Sequence, residues 1–209
     1  NGSIGGQIEP NFPPDLLETL HKQVKVESFL PAQLLGEYIG KLVLEIVRTE
    51  EMITDPIISI KRREIDIPLH NPYFKSASLS GIIPRKIHDH RLRTELSSVS
   101  IGPVQILCIP GEIYPEIVIG GVVTPSGADF IGNPLEEPPL KELMRGKYKF
   151  IFGLSNDEIG YIIPRTEWDE KPPFLYGLSS HPYGEVNSVG PDAAQIIHRS
   201  IAKLLLRGE

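Results

Sequence analysis

Cysteine is nearly absent from this chain, and its single copy limits what the protein can build. Cys108 is the only cysteine among 209 residues, so an internal disulfide is excluded and the redox compartment stays open. The neighbours Leu107 and Ile109 are apolar. We therefore expect Cys108 to be a small buried hydrophobic residue of a strand.

Two further shortages exclude classes of protein. No apolar run approaches the roughly 18 to 20 residues that cross a bilayer, so no transmembrane span is predicted. Lys and Arg together number 21 against 27 Asp and Glu, which gives a net charge of −6. Because nucleic-acid phosphates require a positive surface, this balance predicts that nucleic acid is not a partner.

The chain also lacks an initiator methionine and a signal peptide. It begins with Asn1-Gly2-Ser3 and runs directly into a Gly- and Pro-rich stretch. Such a beginning is typical of a processed or truncated protein. We therefore expect residues 1–209 to be either a single domain or one part of a larger domain.

Hydrophobic patterns predict an α/β or α+β fold with a mixed β-sheet packed against helices. Paired apolar residues four apart predict a long amphipathic helix with one buried face over residues 31–54. A second helix follows Pro191 and ends at Gly208, and a short one lies near residues 140–145. Strands are predicted at residues 57–67, 94–101, 104–109 and 149–154, the middle two forming a hairpin at Gly102-Pro103. Residues 68–93 and 167–184 are expected to be irregular, while residues 113–123 suit either a helix or a buried strand.

Two of the predicted strands end in polar turns. The first runs into Pro110-Gly111-Glu112, and the second is followed by a turn that leads to Tyr161. Strand ends expose chemistry in α/β proteins, because the strand is rigid and the turn faces solvent. Glu112 and Tyr161 are therefore candidate members of one shared site.

Four segments in one order resemble the neutral (non-lysosomal) ceramidases and their bacterial relatives. They are Ile4-Gly5-Gly6-Gln7-Ile8-Glu9-Pro10-Asn11, the hairpin ending in Pro110-Gly111-Glu112, the turn from Gly153 to Tyr161, and the stretch from Tyr183 to Pro191. None of these motifs is specific alone, but the ordered set spans the whole chain. The resemblance implies the C-terminal half of a ceramidase-like catalytic domain.

The resemblance also implies a zinc site and a reaction. Ceramidases hold zinc through two histidines, a glutamate and a tyrosine, which places Glu112 and Tyr161 as metal ligands here. The two histidines belong to the N-terminal half of the domain, which is therefore the expected partner. Tyr183 matches a tyrosine that hydrogen-bonds the substrate carbonyl, with Tyr176 as a competitor for that role. The implied activity is cleavage of an amide bond in a lipid-like substrate, as in sphingolipid metabolism, by a secreted, periplasmic or membrane-associated enzyme.

One position departs from the family pattern. Ceramidases carry a serine before the Pro-Asn pair, whereas here Glu9 precedes Pro10. A zinc-activated water remains compatible with amide or ester cleavage without that serine. The second hypothesis is a non-catalytic relative that binds a ligand or partner.

Plainer interpretations stand beside these. Glu112 suits a helix cap for the segment that follows, and Tyr161 suits a half-buried core tyrosine. Asp157 and Glu158 are expected to be solvated in their turn. His88-Asp89-His90 would place two imidazoles on one face of a strand, but its basic neighbours disfavour a metal. His181 is the histidine closest in sequence to Tyr183.

Overall fold

The computed structural model describes residues 2–5, 12–14, 16–18, 29–48, 52–85 and 87–206. The chain divides into two compact units. One is Gln7–Asp55, and the other combines Asn1–Gly6 with Pro56–Glu209. The two units are described separately below.

The smaller unit contains helix α1, Leu30–Val47. It begins after Phe29, with a proline in its first turn, where the missing amide hydrogen costs nothing. The predicted helix is confirmed, although it ends earlier than residue 54. Its predicted buried face is wrong, because no residue of α1 is buried and Ile39, Val43 and Ile46 are about half exposed or more. An apolar stripe predicts a buried face only where another element packs against it. The described residues of this unit supply no such element.

The larger unit is built on a mixed sheet. Its strands are β1 (Ile58–Pro68), β2 (Ile87–His88), β3 (Arg91–Ile101), β4 (Val104–Cys108) and β6 (Tyr148–Phe152). The order is β1-β3-β4-β6, with β2 paired to β3. The pairs β1–β3 and β3–β4 are antiparallel, and β4–β6 is parallel. The hairpin at Gly102-Pro103 is confirmed by the register pair Ile101–Val104.

A second sheet has two strands, which follow β4 and β6 along the chain. Strand β5 (Glu112–Ile113) follows β4, strand β7 (Tyr161–Ile162) follows β6, and the two again run parallel. Helix α3 (Pro115–Ile119) comes after β5, and helix α4 (Leu140–Leu143) precedes β6. Residues 113–123 therefore hold the end of a short strand and a short helix.

The C-terminal helix α6, Ala193–Leu206, packs on one face of the main sheet. Its Ile197, Ile201 and Leu204 are buried, as the apolar spacing predicts. They join the core residues of the strands, among them Ile67, Leu96, Leu107 and Ile151. The predicted class, a mixed sheet packed with helices, is confirmed. The predicted end at Gly208 lies outside the described residues.

The prediction that residues 68–93 are irregular is wrong. They contain helix α2, Pro72–Leu79, as well as strand β2. The Asn71 side chain accepts hydrogen bonds from the backbone amides of Tyr73 and Phe74, and Pro72 occupies the first turn. Residues 167–184 include a 3-10 turn at Leu175–Gly177 and the start of helix α5, Tyr183–Val186. Across the described part of the chain, no helix combines the length and apolarity that crossing a bilayer requires.

Candidate functional site

Strands β5 and β7 bring Glu112 and Tyr161 together. The two residues are direct register partners in the parallel pair. The Glu112 amide donates to the carbonyl of Gly160 at 3.0 Å, and the Tyr161 amide donates to the carbonyl of Asn187 at 3.0 Å. The polar residues that follow β4 and β6 therefore meet at one place, as expected for the ends of two neighbouring parallel strands.

Tyr183 lies beside Tyr161. Their ring centroids are 5.8 Å apart in an edge-to-face arrangement, and Tyr114 contacts the other side of Tyr161 at 6.4 Å. Tyr183 is 73% exposed and Tyr176, the competing tyrosine, 85%, so the ring contact with Tyr161 separates the two and not their exposure. The geometry thus brings Tyr183, and not Tyr176, to Glu112 and Tyr161.

Burial keeps the Tyr161 phenol protonated. Burial is the largest cause that raises the pKa of Tyr161, followed by the negative charge of Glu112 and a hydrogen bond to the Glu112 carboxylate. Burial also raises the pKa of Tyr114, and the charges of Glu185 and Tyr161 add to that effect. The Tyr161 hydroxyl therefore lies within hydrogen-bonding reach of the Glu112 carboxylate, as a donor.

A cavity of about 360 Å³ opens onto these residues. This volume falls at the lower end of the range for small-molecule pockets. One part of its lining is polar, with Glu112, Glu158, Tyr161, Tyr183 and Asn187. Ser78 and Arg85 also line it, together with a set of side chains that we call the apolar wall: Leu69, Phe74, Ile83, Ile87, Leu92 and Ile159. Such a mixed lining suits a ligand that carries both a polar group and an apolar part.

Arg85 connects this cavity to the turn after β6. Its Nη2 forms an ion pair with Asp157, and the Thr94 hydroxyl donates to the other Asp157 oxygen at 2.6 Å. The expectation that Asp157 is solvated is therefore wrong, because it is held on two sides. Glu158 is exposed, and its carboxylate accepts from the Gly160 amide at 2.6 Å.

Other expectations are corrected by the geometry. Glu112 is not a helix cap, because it lies in β5 and helix α3 begins after Tyr114 without a side-chain cap. His88 and His90 do not alternate along a strand, because Asp89 and His90 form a tight turn with φ of 48° and 57°. Cys108 is partly buried on its strand, not fully buried.

His181 lies away from Glu112 and Tyr161. Its ring contacts Phe174 at 5.1 Å between centroids, and it lines a second, smaller cavity with Trp168 and Glu170. Proximity in sequence to Tyr183 therefore does not make it a neighbour of the candidate site.

The oxygen donors of Glu112 and Tyr161 fit part of a metal site. A carboxylate and a phenol side by side supply two oxygen ligands of the kind that divalent cations accept. Within the described residues, however, no three His, Cys, Asp or Glu side chains are grouped closely enough to hold a metal ion. Glu112 and Tyr161 are therefore two neighbouring oxygen donors that the other described residues do not complete into a metal site.

Sequence reasoning missed the cavity wall and two of its polar members. Phe74 and Arg85 lie in the region that was expected to be irregular, and Asn187 carries no motif. The pair Asn71-Pro72 was the available signal for α2, since asparagine followed by proline is typical of a helix start.

Comparisons with known proteins agree with this architecture at the level of the fold. No protein-family model matches the chain, and no curated protein matches it. Among solved structures, the neutral ceramidase from Pseudomonas aeruginosa is similar, with a TM-score of 0.50 and 13% sequence identity. The match covers 88% of this chain and 34% of that one. The chain thus has a ceramidase-like fold over about a third of the length of the solved protein.

Proposed function

We propose that this chain supplies half of a zinc-dependent hydrolase site that cleaves an amide bond in a lipid-like substrate, as the resemblance to neutral ceramidases implies. The observation that carries the proposal is the register pairing of Glu112 with Tyr161 at a cavity that is lined by both polar and apolar side chains. The ceramidase-like fold supports it independently.

Each residue of the site has a role in this proposal. Glu112 and Tyr161 would hold zinc through their oxygens, with two histidines from the N-terminal half of the same domain as the other ligands. Bound zinc supplies a water of lowered pKa and polarises a carbonyl. Tyr183 would donate its hydroxyl hydrogen bond to the carbonyl oxygen as negative charge develops there. The apolar wall that includes Phe74 and Leu92 would bind the acyl chain and exclude water.

The test is made on the full-length natural protein, with its zinc content measured by mass spectrometry and its activity on dodecanoyl p-nitroanilide. Glu112→Ala is expected to lose zinc and to reduce activity by at least about 100-fold, because one of the residues that would bind zinc directly is removed. Tyr183→Phe is expected to keep zinc and to lower kcat by about 100-fold. Glu142→Gln, an exposed change on α4, is the control. A protein without zinc whose activity survives Glu112→Ala would end the proposal.

The isolated 209-residue chain gives a second test of the split site. With two ligands supplied elsewhere, it is expected to bind zinc no more tightly than the micromolar range and to leave the anilide intact. Tight zinc binding at one ion per chain would contradict the assignment of two ligands to another segment.

A non-catalytic relative that binds an apolar ligand is the second candidate. It is favoured by Glu9, which precedes Pro10 where the ceramidases carry a serine. The zinc content of the full-length protein separates the two candidates, because a binding protein of this kind needs no metal.

A further inference from the structure

One face of the main sheet exposes a continuous apolar surface. Residues directly opposite one another in paired strands lie on the same face, and the register therefore defines its members. We call this surface the outer face; it consists of Ile58, Ile60, Val99, Ile101, Val104, Ile106, Cys108, Tyr148, Phe150 and Phe152. None of these residues is charged, although 23% of the chain is. An uncharged apolar surface of this extent marks an interaction site.

Exposure confirms that the outer face is largely uncovered. Ile58 and Ile60 are 64% and 66% exposed, and Tyr148, Phe150 and Phe152 are between 41% and 49% exposed. The opposite face packs on α6, where Leu107 and Ile151 are buried. Further along the sheet the outer-face positions become polar, at Arg62 and Glu64 with their partners Ser97 and Glu95. The apolar surface therefore has a polar boundary on that side.

The parallel pair β4–β6 is more apolar on its outer face than on its covered face, where Gln105 and Lys149 lie. In β6 the covered face carries Lys149 and Ile151, whereas the outer face carries a tyrosine and two phenylalanines. The outer face thus has the composition of a surface that is buried in the assembled protein.

We propose that the outer face packs against a second β-sheet, supplied by polypeptide beyond these 209 residues. The apolar surface extends across four strands, about 14 Å between the axes of the outermost ones, and one helix about 10 Å wide would leave part of it exposed. A sheet stacked face to face covers it entirely, with the side chains of both sheets interdigitating.

The source of this second sheet rests on the proposed function, in which the other half of the domain completes the zinc site. The solved ceramidase is matched over only 34% of its length, so most of that chain has no counterpart here. The exposed face itself does not depend on that proposal. The surface and its occupant are therefore tested by a readout that involves neither zinc nor hydrolysis.

Cys108 is a natural reporter, because it is the only cysteine of these 209 residues and lies on the outer face next to Phe152. Its rate of modification by N-ethylmaleimide is followed by mass spectrometry of the peptide that contains it, in the isolated 209-residue chain and in the full-length natural protein. The expected result is reaction in the isolated chain and at least 50-fold protection in the full-length protein. The control is Lys203→Cys in a Cys108→Ser background, exposed on α6, which is expected to react equally in both.

Phe150→Lys separates an interface from a folding defect. In the isolated chain it is expected to lower the urea unfolding midpoint only slightly, because about half of the side chain is already exposed. In the full-length protein it is expected to increase Cys108 reactivity at least tenfold. A variant that unfolds the isolated chain is replaced by Ile60→Lys, at the other side of the same face.

Several outcomes would overturn the proposal. Equal Cys108 reactivity in the two proteins would show that the face stays open, and protection in the isolated chain that is lost on dilution would show that a second copy covers it. Protection in the isolated chain that persists on dilution would show that the chain covers its own face. A natural protein that ends with these residues and stays monomeric would also exclude a second sheet.

Discussion

At the scale of single residues, the candidate site depends on how closely its backbone segments approach one another. Gly160 lies immediately before Tyr161, has a φ of 85°, and forms a bridge with Ser188. A Cβ at this position would overlap the carbonyl oxygen of Asn187. That same carbonyl accepts the Tyr161 amide hydrogen, so the absence of a side chain at Gly160 sets the position of Tyr161.

We therefore predict that Gly160→Ala destabilises the protein by roughly 2 to 4 kcal/mol, from backbone strain and steric overlap together. Gly121→Ala is the matched control, because Gly121 has a similar φ of 97° but open space where the Cβ would be. That control is expected to cost about 1 kcal/mol. Both values come from urea unfolding at pH 7. If both variants lost the same unfolding free energy, the close approach of the Asn187 carbonyl to Gly160 would contribute nothing.

At the scale of elements, helix α2 is held by one side chain. The side-chain oxygen Oδ1 of Asn71 caps its first turn. The side-chain nitrogen Nδ2 donates to the backbone carbonyls of Val186 and Ser188 at 2.7 and 2.8 Å. The residue thus joins α2, which carries Phe74 in the cavity wall, to the segment around α5, which begins with Tyr183. Phe74 and Tyr183, which both line the cavity, are positioned in part by this link.

Asn71→Ala is predicted to cost about 2 to 3 kcal/mol, because it removes a cap and leaves buried carbonyls without donors. Asn71→Asp keeps the cap but places a buried carboxylate oxygen against two carbonyl oxygens, so we expect a loss at least as large as that of Asn71→Ala. Unfolding by urea gives both values. If Asn71→Asp matched the wild type, the two bonds to residues 186 and 188 would contribute nothing.

Elements with a strong local pattern were predictable, while their associations were less so. The hairpin of β3 and β4 follows from two apolar runs separated by Gly102-Pro103, and α6 follows from its spacing of isoleucines and leucines. The parallel pairing of β4 with β6 depends on contacts between segments about 40 residues apart, which no local pattern encodes. Helix α2 was missed because it is short and mostly exposed, and its start depends on a cap.

The candidate site, too, could be predicted from the sequence only in part. Strand ends indicated that Glu112 and Tyr161 lie together, and the register pairs them. The contact between Tyr161 and Tyr183 was suggested only by the resemblance to ceramidases, since a long loop separates the two residues. Arg85 and its ion pair with Asp157 depend on tertiary packing and had no signal in the sequence. The ligand roles of Glu112 and Tyr161 stay predictions.

At the scale of the whole molecule, several partly buried carboxyl groups hold their protons more tightly than in an unfolded chain. Burial raises the pKa of Glu167 to about 7, opposed by a hydrogen bond from the Val123 amide and reinforced by nearby glutamates. Burial likewise raises the pKa of Glu185 to about 7, with backbone hydrogen bonds acting against it. Burial also raises the pKa of Glu136, whose side chain is fully buried. All three pKa shifts are upward, so their effects on the pH dependence of the folding free energy add together.

The sign of their effect follows from linkage. Folding raises the pKa of these carboxyl groups above the ordinary value of 4.5. Each group therefore makes its full contribution to stability below about pH 4.5, and that contribution is lost as the pH rises to about 7. Asp66 behaves oppositely, because its hydrogen bond to Arg93 lowers its pKa, and its contribution is lost only in more acidic solution. Between pH 4.5 and 7 the raised glutamates therefore dominate, and stability is expected to fall across this window.

Replacing Glu185 or Glu167 with glutamine removes a charge that burial disfavours while keeping an oxygen acceptor. Each change is expected to stabilise the protein by about 1 to 2 kcal/mol at pH 8 and to have little effect at pH 4.5, a magnitude reduced for partial exposure. Glu142→Gln, on the exposed side of α4, is the control and should not alter the slope. Urea unfolding from pH 4 to 8 measures all three variants. A gain that is equal at both ends of the range would mean that the substitution acts through packing, because only a titrating carboxyl makes the benefit grow between pH 4.5 and 7.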